Sequence, residues 1–199
     1  LATANNGLLV TGNTGIPSVL AGPGTTGQIL QSNAAAAPSF STATYPSTTG
    51  ANTMLISTSA NVVTTTSFVE ATTFTPVLAF GGGSTGITYS SQYGKYERVG
   101  NTIIFTIYMA LTSKGSSTGT AAITGLPVTS ANDGGNYDFS MPAWNLTAAT
   151  ATCFLADLPA NVSALGLFFL TAATGGITAL SDTHFANNTT VRINGSYFV

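Results

Sequence analysis

Side chains able to do covalent chemistry are few in this chain. His184 is the only histidine, in SDTHFANN, with Asp182 two positions before it and serines throughout the sequence. A Ser-His-Asp triad requires the base beside the nucleophile and the acid beside the base, a spatial relation that spacing does not supply. The default reading of His184 is a loop histidine. The six carboxylates, Glu70, Glu97, Asp133, Asp138, Asp157 and Asp182, occur singly. Glycosidic cleavage needs two carboxyls flanking one bond, and no two of these are placed to suggest it. Cys153 is the lone cysteine, which excludes an intrachain disulfide and a cysteine-built zinc site within one chain. In ATATCFLADL it reads as a small buried core residue. A metal would need ligands from several chains around an axis, and no residue is singled out for that. GPGTTG at 22–27 and GGGSTG at 81–86 lack the Lys of a phosphate-binding loop and read as turns. No catalytic residue, cofactor or metal is expected.

Binding by surface contact is the chemistry that remains. Tyr137 and Trp144 lie in NYDFSMPAWN, just after the Asp133-Gly134-Gly135 turn, with Asn136 and Asp138 as hydrogen-bonding neighbours. Tyr and Trp combine an apolar face with a polar tip, which suits stacking on sugar rings. These four residues form the expected ligand site. The alternative for Trp144 is an anchor in a core or an interface, since large aromatics dominate buried area.

The elements that would carry such a site follow from composition. Only ten of 199 residues are charged, 5% of the chain, against about 25% in an ordinary soluble domain. Thr, Ser, Ala, Gly and Asn fill the deficit, while the straight-chain helix formers are scarce. The expected class is all-β. A net charge of −2 supplies neither the basic footprint that nucleic acid requires nor a polybasic patch for anionic lipid. No stretch reaches the roughly 18 apolar residues of a membrane-spanning helix. Leu1 carries neither an initiating Met nor a signal-peptide pattern, so the chain reads as a fragment or a processed product.

Residues 1–68 contain no Lys, Arg, Asp, Glu or His. Within them GLLVTGNTGIPSV at 7–19 lies over GQILQSNAAAAPSF at 27–40, and NTMLISTSANVV at 52–63 keeps the apolar triplet. Units this small cannot bury their own apolar side chains, so they must pack on neighbours along an axis or on other chains. Pro17, Pro23, Pro38 and Pro46 interrupt any continuous flat sheet. The reading is a fibrous stalk of intertwined chains over 1–68, with Ile29, Leu30, Phe40 and Leu55 facing sister chains. Uncharged strand edges buried against other copies would also remove the association hazard of exposed edges.

Residues 69–199 read as a globular head of seven or eight strands separated by Gly clusters, a sandwich or barrel pattern. Strands are expected over 102–112, 120–124, 136–144, 151–158, 165–171 and 190–199. In TIIFTIYMALT, residues 103, 105, 107, 109 and 111 share one face. ITYSSQYGKYERV at 87–99 should pair with it through the Gly100-Asn101 turn. In ALGLFFL both alternating sets are apolar, which places Phe168 and Leu170 against a core or a subunit interface.

These segments resemble a known family. GQILQSNAAAAPSFSTATYPSTTGANTMLISTSANVV is similar to the repeat of bacteriophage and prophage tail-fibre proteins. The stretch from FTPVLAFGGG to GLPVTS resembles the globular C-terminal part of such fibres, carried by Tyr96, Arg98, Gly100 and Asn101, then Gly125, Leu126 and Pro127. The resemblance covers residues 7 to about 130 and the closing strand. It implies a homotrimeric fibre, a β-rich shaft and a β-sandwich, jelly-roll-like tip that attaches the virion to a host receptor. Implied partners are sister chains, a host glycan or outer-membrane receptor, and other virion tail proteins, with no nucleic acid and no membrane insertion. The implied location is the virion tail, outside the cell. Tips of such fibres diverge with host, so no binding residue transfers. Alternatives are a purely structural virion fibre or decoration protein and a bacterial surface adhesin or filament subunit.

Overall fold

In the computed structural model of the protein, the alternation of 102–112 becomes a strand whose Ile103, Phe105, Ile107, Met109 and Leu111 are all buried. The structure describes residues 8–11, 14–20, 26–33, 36–47, 49–60, 62–148, 151–171 and 176–199. Pro23 and most of GPGTTG lie outside them, as do Gly7, Gly12, Asn13, Ala34, Ala35 and Asn61 of the similar segments. The chain divides into two compact units, Leu1–Ser67 and Phe68–Val199.

The first unit holds β1 (Leu8–Thr11), β2 (Pro17–Leu20), β3 (Leu30–Asn33), β4 (Ala36–Phe40), β5 (Thr53–Ser59) and the start of β6 (Val62–Phe74). They pair antiparallel in twos: β1 with β2, β3 with β4, β5 with β6. Pro17 opens β2, and Pro38 lies in β4, which has one paired edge, so the missing N–H is tolerated. The buried Ser41 fastens the start of β3 to the segment after β4. Its hydroxyl accepts from the Ile29 N–H at 3.0 Å and donates to the Ala43 carbonyl at 2.6 Å.

The second unit adds β7 (Val77–Phe80), β8 (Ile87–Val99), β9 (Thr102–Lys114), β10 (Ala121–Thr124), β11 (Asn136–Ser140), β12 (Ala143–Leu146), β13 (Ala151–Pro159), β14 (Leu165–Thr171), β15 (Ile177–Ala179) and β16 (Phe185–Phe198). A 3-10 turn, Asp182–His184, leads into β16. One sheet runs β12-β16-β9-β8-β6 and the other β11-β13-β14-β10-β7, with β15 also on β14. Every pairing within them is antiparallel. The expected hairpin of β8 and β9 is present, with Val99 opposite Thr102 and Gly100 at φ 60° in the turn.

The two inner faces share one core, so this unit is an antiparallel β-sandwich. Edge-to-face pairs of rings join the sheets: Phe105 with Phe139 and Phe80 with Phe185, both at 5.1 Å. Gly195 on β16 leaves room for the Phe139 ring, which occupies the place a Cβ there would need.

Three local expectations are corrected. Cys153 is exposed rather than buried, because Ala156 and Leu158 fix the inward set of β13 and place odd-numbered residues outside. The strand expected over 136–144 is two strands in different sheets, β11 and β12, separated at Met141-Pro142, where Pro has no N–H for a ladder. The last strand begins at Phe185 rather than at 190.

Candidate functional site

The outward face of the first sheet is built from rows of cross-strand neighbours. Arg192 lies opposite Tyr108, and Tyr108 opposite Tyr93. The next row is Asn194, Thr106 and Lys95, and the one after it Ser196, Ile104 and Glu97. The inward positions of β9 and β16 are claimed by the core, so strict alternation puts this set, polar or aromatic except for Ile104, in water. Thr106 donates its hydroxyl hydrogen bond to Asn194 Oδ1, which pins the middle row.

Trp144 joins this face from β12, opposite Thr190. A register shift between Trp144 and Leu146 is held by Asn145 at φ 59°, a left-handed value that Asn tolerates. The fully buried Thr189 donates its hydroxyl to the Asn145 carbonyl at 2.9 Å and accepts the Ala186 N–H at 2.8 Å. That network fixes the strand while leaving Trp144 49% exposed. Trp144 is therefore no core residue. The Arg192 guanidinium sits 5.0 Å from the Tyr108 ring centre and 5.2 Å from that of Trp144, within cation–π range of both.

Two adjoining hollows mark the face. One of about 310 Å³ is lined by Tyr93, Tyr108, Arg192, Thr106 and Asn194. The other, of about 640 Å³, shares Thr106 and Asn194 and runs on past Lys95, Glu97 and Ile104. Both are shallow and open to solvent, so a ligand would lie along the sheet rather than be enclosed.

Asn136, Tyr137 and Asp138 lie elsewhere, on β11 of the other sheet, and the structure does not bring them to Trp144. Tyr137 packs on Tyr197 and Phe198, about 16 Å of strand from Arg192 at roughly 3.3 Å per residue. Its hydroxyl donates to Asp133 Oδ2 at 2.8 Å, and burial together with that carboxylate raises its pKa. Asp133 is held below the usual carboxylate range, chiefly by the Gly135 N–H and then by Tyr137. Tyr137 thus closes the margin of the core, while Asn136 and Asp138 are exposed.

Asp138 faces Asp157 across β11 and β13, a pairing of carboxylates that spacing could not reveal. Burial, then the charge of Asp138, raises the Asp157 pKa, against a 3.4 Å hydrogen bond from the Asn136 amide. Asp157 Oδ1 is buried without a partner. On the same outward face, Leu155, Phe168 and Leu170 are half-buried and Ile177 is exposed.

His184 is not part of a triad with Asp182. Its Nδ1 accepts the Ser181 N–H at 2.9 Å, whereas the Asp182 carboxylate receives the Gly119 N–H at 2.8 Å and pairs with Lys114 at 3.8 Å. These contacts close the turn before β16. In the first unit Ile29, Leu30 and Leu55 are exposed and Phe40 is half-buried.

Sequence reasoning missed Arg192, Tyr108 and Tyr93. One signal was available for Arg192: it stands between Val191 and Ile193, an inward pair, and so had to point outward.

No family model and no curated protein matches the chain. Among solved structures, the Dettilon tailspike protein (gp208) is similar in fold, with a TM-score of 0.55 and 23% identity over 66% of this chain. The match covers 24% of that tailspike chain, so this protein spans about a quarter of its length. The likeness is one of fold.

Proposed function

We propose that this protein is a phage tail-associated attachment protein whose sandwich unit binds glycan on the host surface without cleaving it. The observation that carries the reading is the shared fold with a tailspike, a virion appendage. The site chemistry is consistent with it: an open sheet face with Trp144, Tyr93 and Tyr108 suits stacking on sugar rings. Attachment through many copies on one particle lets weak single contacts suffice.

The reading includes assembly as a homotrimer on the virion tail, with other tail proteins as neighbours. Supporting it, a single chain leaves Ile16, Ile29, Leu30, Met54 and Leu55 exposed in the first unit, apolar surface that sister chains would cover. In the second unit the half-buried Phe168 and Leu170 lie beside the exposed Ile177 and would be covered in the same way.

The full-length chain, fluorescently labelled, is expected to bind a subset of bacterial strains and their extracted envelope polysaccharides saturably, with no new reducing ends released. Absence of binding to every strain and polysaccharide would sink the attachment reading, and release of reducing ends would make the protein an enzyme. Sedimentation should give three times the chain mass of 20.0 kDa. A stable monomer refutes the trimer.

A further inference from the structure

We propose that the Arg192 face is a subsite for an acidic saccharide, with the anionic group on the Arg192 guanidinium and a sugar ring on Trp144. The inference rests on the attachment reading and names its ligand class and its residues.

Arg192 is already ordered. Tyr108 and Trp144 hold its guanidinium between them, so little side-chain freedom remains to be lost when a ligand arrives. Its donors are nevertheless open: among the described residues no acceptor meets the guanidinium, and the nearby Asn194 Oδ1 is engaged by Thr106. Two of the other three basic side chains are engaged, Lys95 being the exception. Arg98 donates to the Gly100 carbonyl at 2.8 Å, and Lys114 is paired with Asp182. A rigid fork of unused N–H donors matches the oxygens of a carboxylate or phosphate.

The local field agrees with that assignment, although the chain carries a net charge of −2. Lys95 lies one row from Arg192, whereas Glu97, the acidic residue of these rows, lies two rows away. At roughly 3.4 Å per residue those rows are about 7 and 14 Å along the strands. Lys95 and Glu97 also lie two strands across from Arg192, at about 4.8 Å per strand, which makes the separations about 12 and 17 Å. Each exceeds a Debye length of about 8 to 10 Å, so the attraction for an anion comes from Arg192 itself, with the cation Lys95 nearer than the anion Glu97. Trp144, beside the Arg192 guanidinium, offers a half-exposed ring for the sugar, and the two hollows that share Thr106 and Asn194 extend the surface for further sugar units.

Titration of the full-length chain with oligogalacturonate, a neutral glucose oligomer of the same length, and a sugar phosphate tests this, read by indole fluorescence of the single Trp144 and by calorimetry. At least one acidic probe should bind roughly tenfold tighter than the neutral one, as expected for one charge-assisted contact. The carboxylate and phosphate arms show which anion is preferred. Arg192→Lys keeps the charge but loses the fork, and should erase most of that preference. Trp144→Ala should weaken all three probes. Equal affinity for acidic and neutral probes, or an unchanged preference in Arg192→Lys, overturns the proposal.

The same variants are then compared in cell binding, with unchanged thermal unfolding as the control for folding. Loss of cell binding in both supports the subsite. Wild-type binding that survives both substitutions overturns the subsite and leaves the attachment reading intact. A change in sedimentation instead of binding would make this face a contact between copies of the chain and overturn the subsite. If the wild type binds no cell, the attachment reading falls, and the saccharide titration alone decides the inference.

Discussion

The two outward faces of the sandwich have the same covalent origin and opposite character. Each is the set of alternate residues that the shared core leaves over. On the β12-β16-β9-β8-β6 sheet that set includes Trp144, Arg192, Tyr108, Tyr93, Asn194 and Lys95, mostly polar or aromatic, with Ile104 the aliphatic exception. On the β11-β13-β14-β10-β7 sheet it is Leu155, Phe168 and Leu170 beside the paired Asp138 and Asp157. The inward residues of both sheets are alike in kind, mostly Leu, Ile, Phe, Met and Ala, because they answer chiefly to packing. Core residues explain why the unit folds; the outward sets, free of that constraint, are where the two sheets were able to specialise.

The comparison breaks most completely if the common core is disturbed, since both faces depend on it. Gly195→Val would drive a branched side chain into the space of the buried Phe139 ring. A loss of about 2–3 kcal/mol is expected, typical of overpacking, with a lower urea midpoint. Ligand binding on one face and assembly with sister chains through the other should fail together in the same denaturant range. Loss of one face with the other intact would show that the sheets are not coupled through this contact.

A smaller perturbation acts at Tyr197, 1% exposed on β16, whose hydroxyl donates to the Val128 carbonyl at 2.7 Å. Tyr197→Phe removes that bond while keeping the ring, and should cost about 1 kcal/mol near neutral pH. Burial pushes the Tyr197 hydroxyl up to about 12 from the ordinary 10.0, against the hydrogen bond to Val128, which acts the other way. The folded state therefore keeps its proton after the unfolded chain has released it. Stability from this group is complete below pH 10 and is lost as pH rises from 10 towards about 12. The Phe variant lacks that decline, so the gap between the two proteins should narrow in chemical denaturation above pH 10. A constant gap would place the effect elsewhere.

How much of this was legible in the sequence depends on the range of the interaction. The inward positions of β9 were legible because alternation is local and the five apolar residues stand at every second place. The β8–β9 hairpin was legible because its turn is written in adjacent residues. The division of 136–144 into β11 and β12 was signalled by Pro142, yet the strand crosses to the other sheet for reasons of global topology. The candidate site was legible only in Trp144. Arg192 meets Tyr108 across 84 positions of sequence and Trp144 across 48, and pairing registers at such separation are set by the whole core. Asp138 and Asp157 escaped notice for the same reason, and Cys153 because a strand's parity decides burial more strongly than residue type does.

The finest test concerns the second face alone. Asp157 carries a buried carboxylate oxygen without a partner and faces Asp138, so its ionised form is disfavoured in the folded state. Its pKa is raised above the ordinary 3.8, and between that value and the raised one the folded protein binds more protons than the unfolded chain. Stability must fall as pH rises through that window and recover on acidification. Asp157→Asn removes the charge while keeping the shape. It should stabilise the protein at pH 7 by on the order of a few tenths of a kcal/mol, the scale of a cross-strand pair, and the gain should vanish once both carboxyls are protonated in the wild type. Saccharide binding on the opposite face should not change. A destabilised variant at pH 7 would mean that the Asp157 charge serves a partner on this face, and the two faces would then both be binding surfaces.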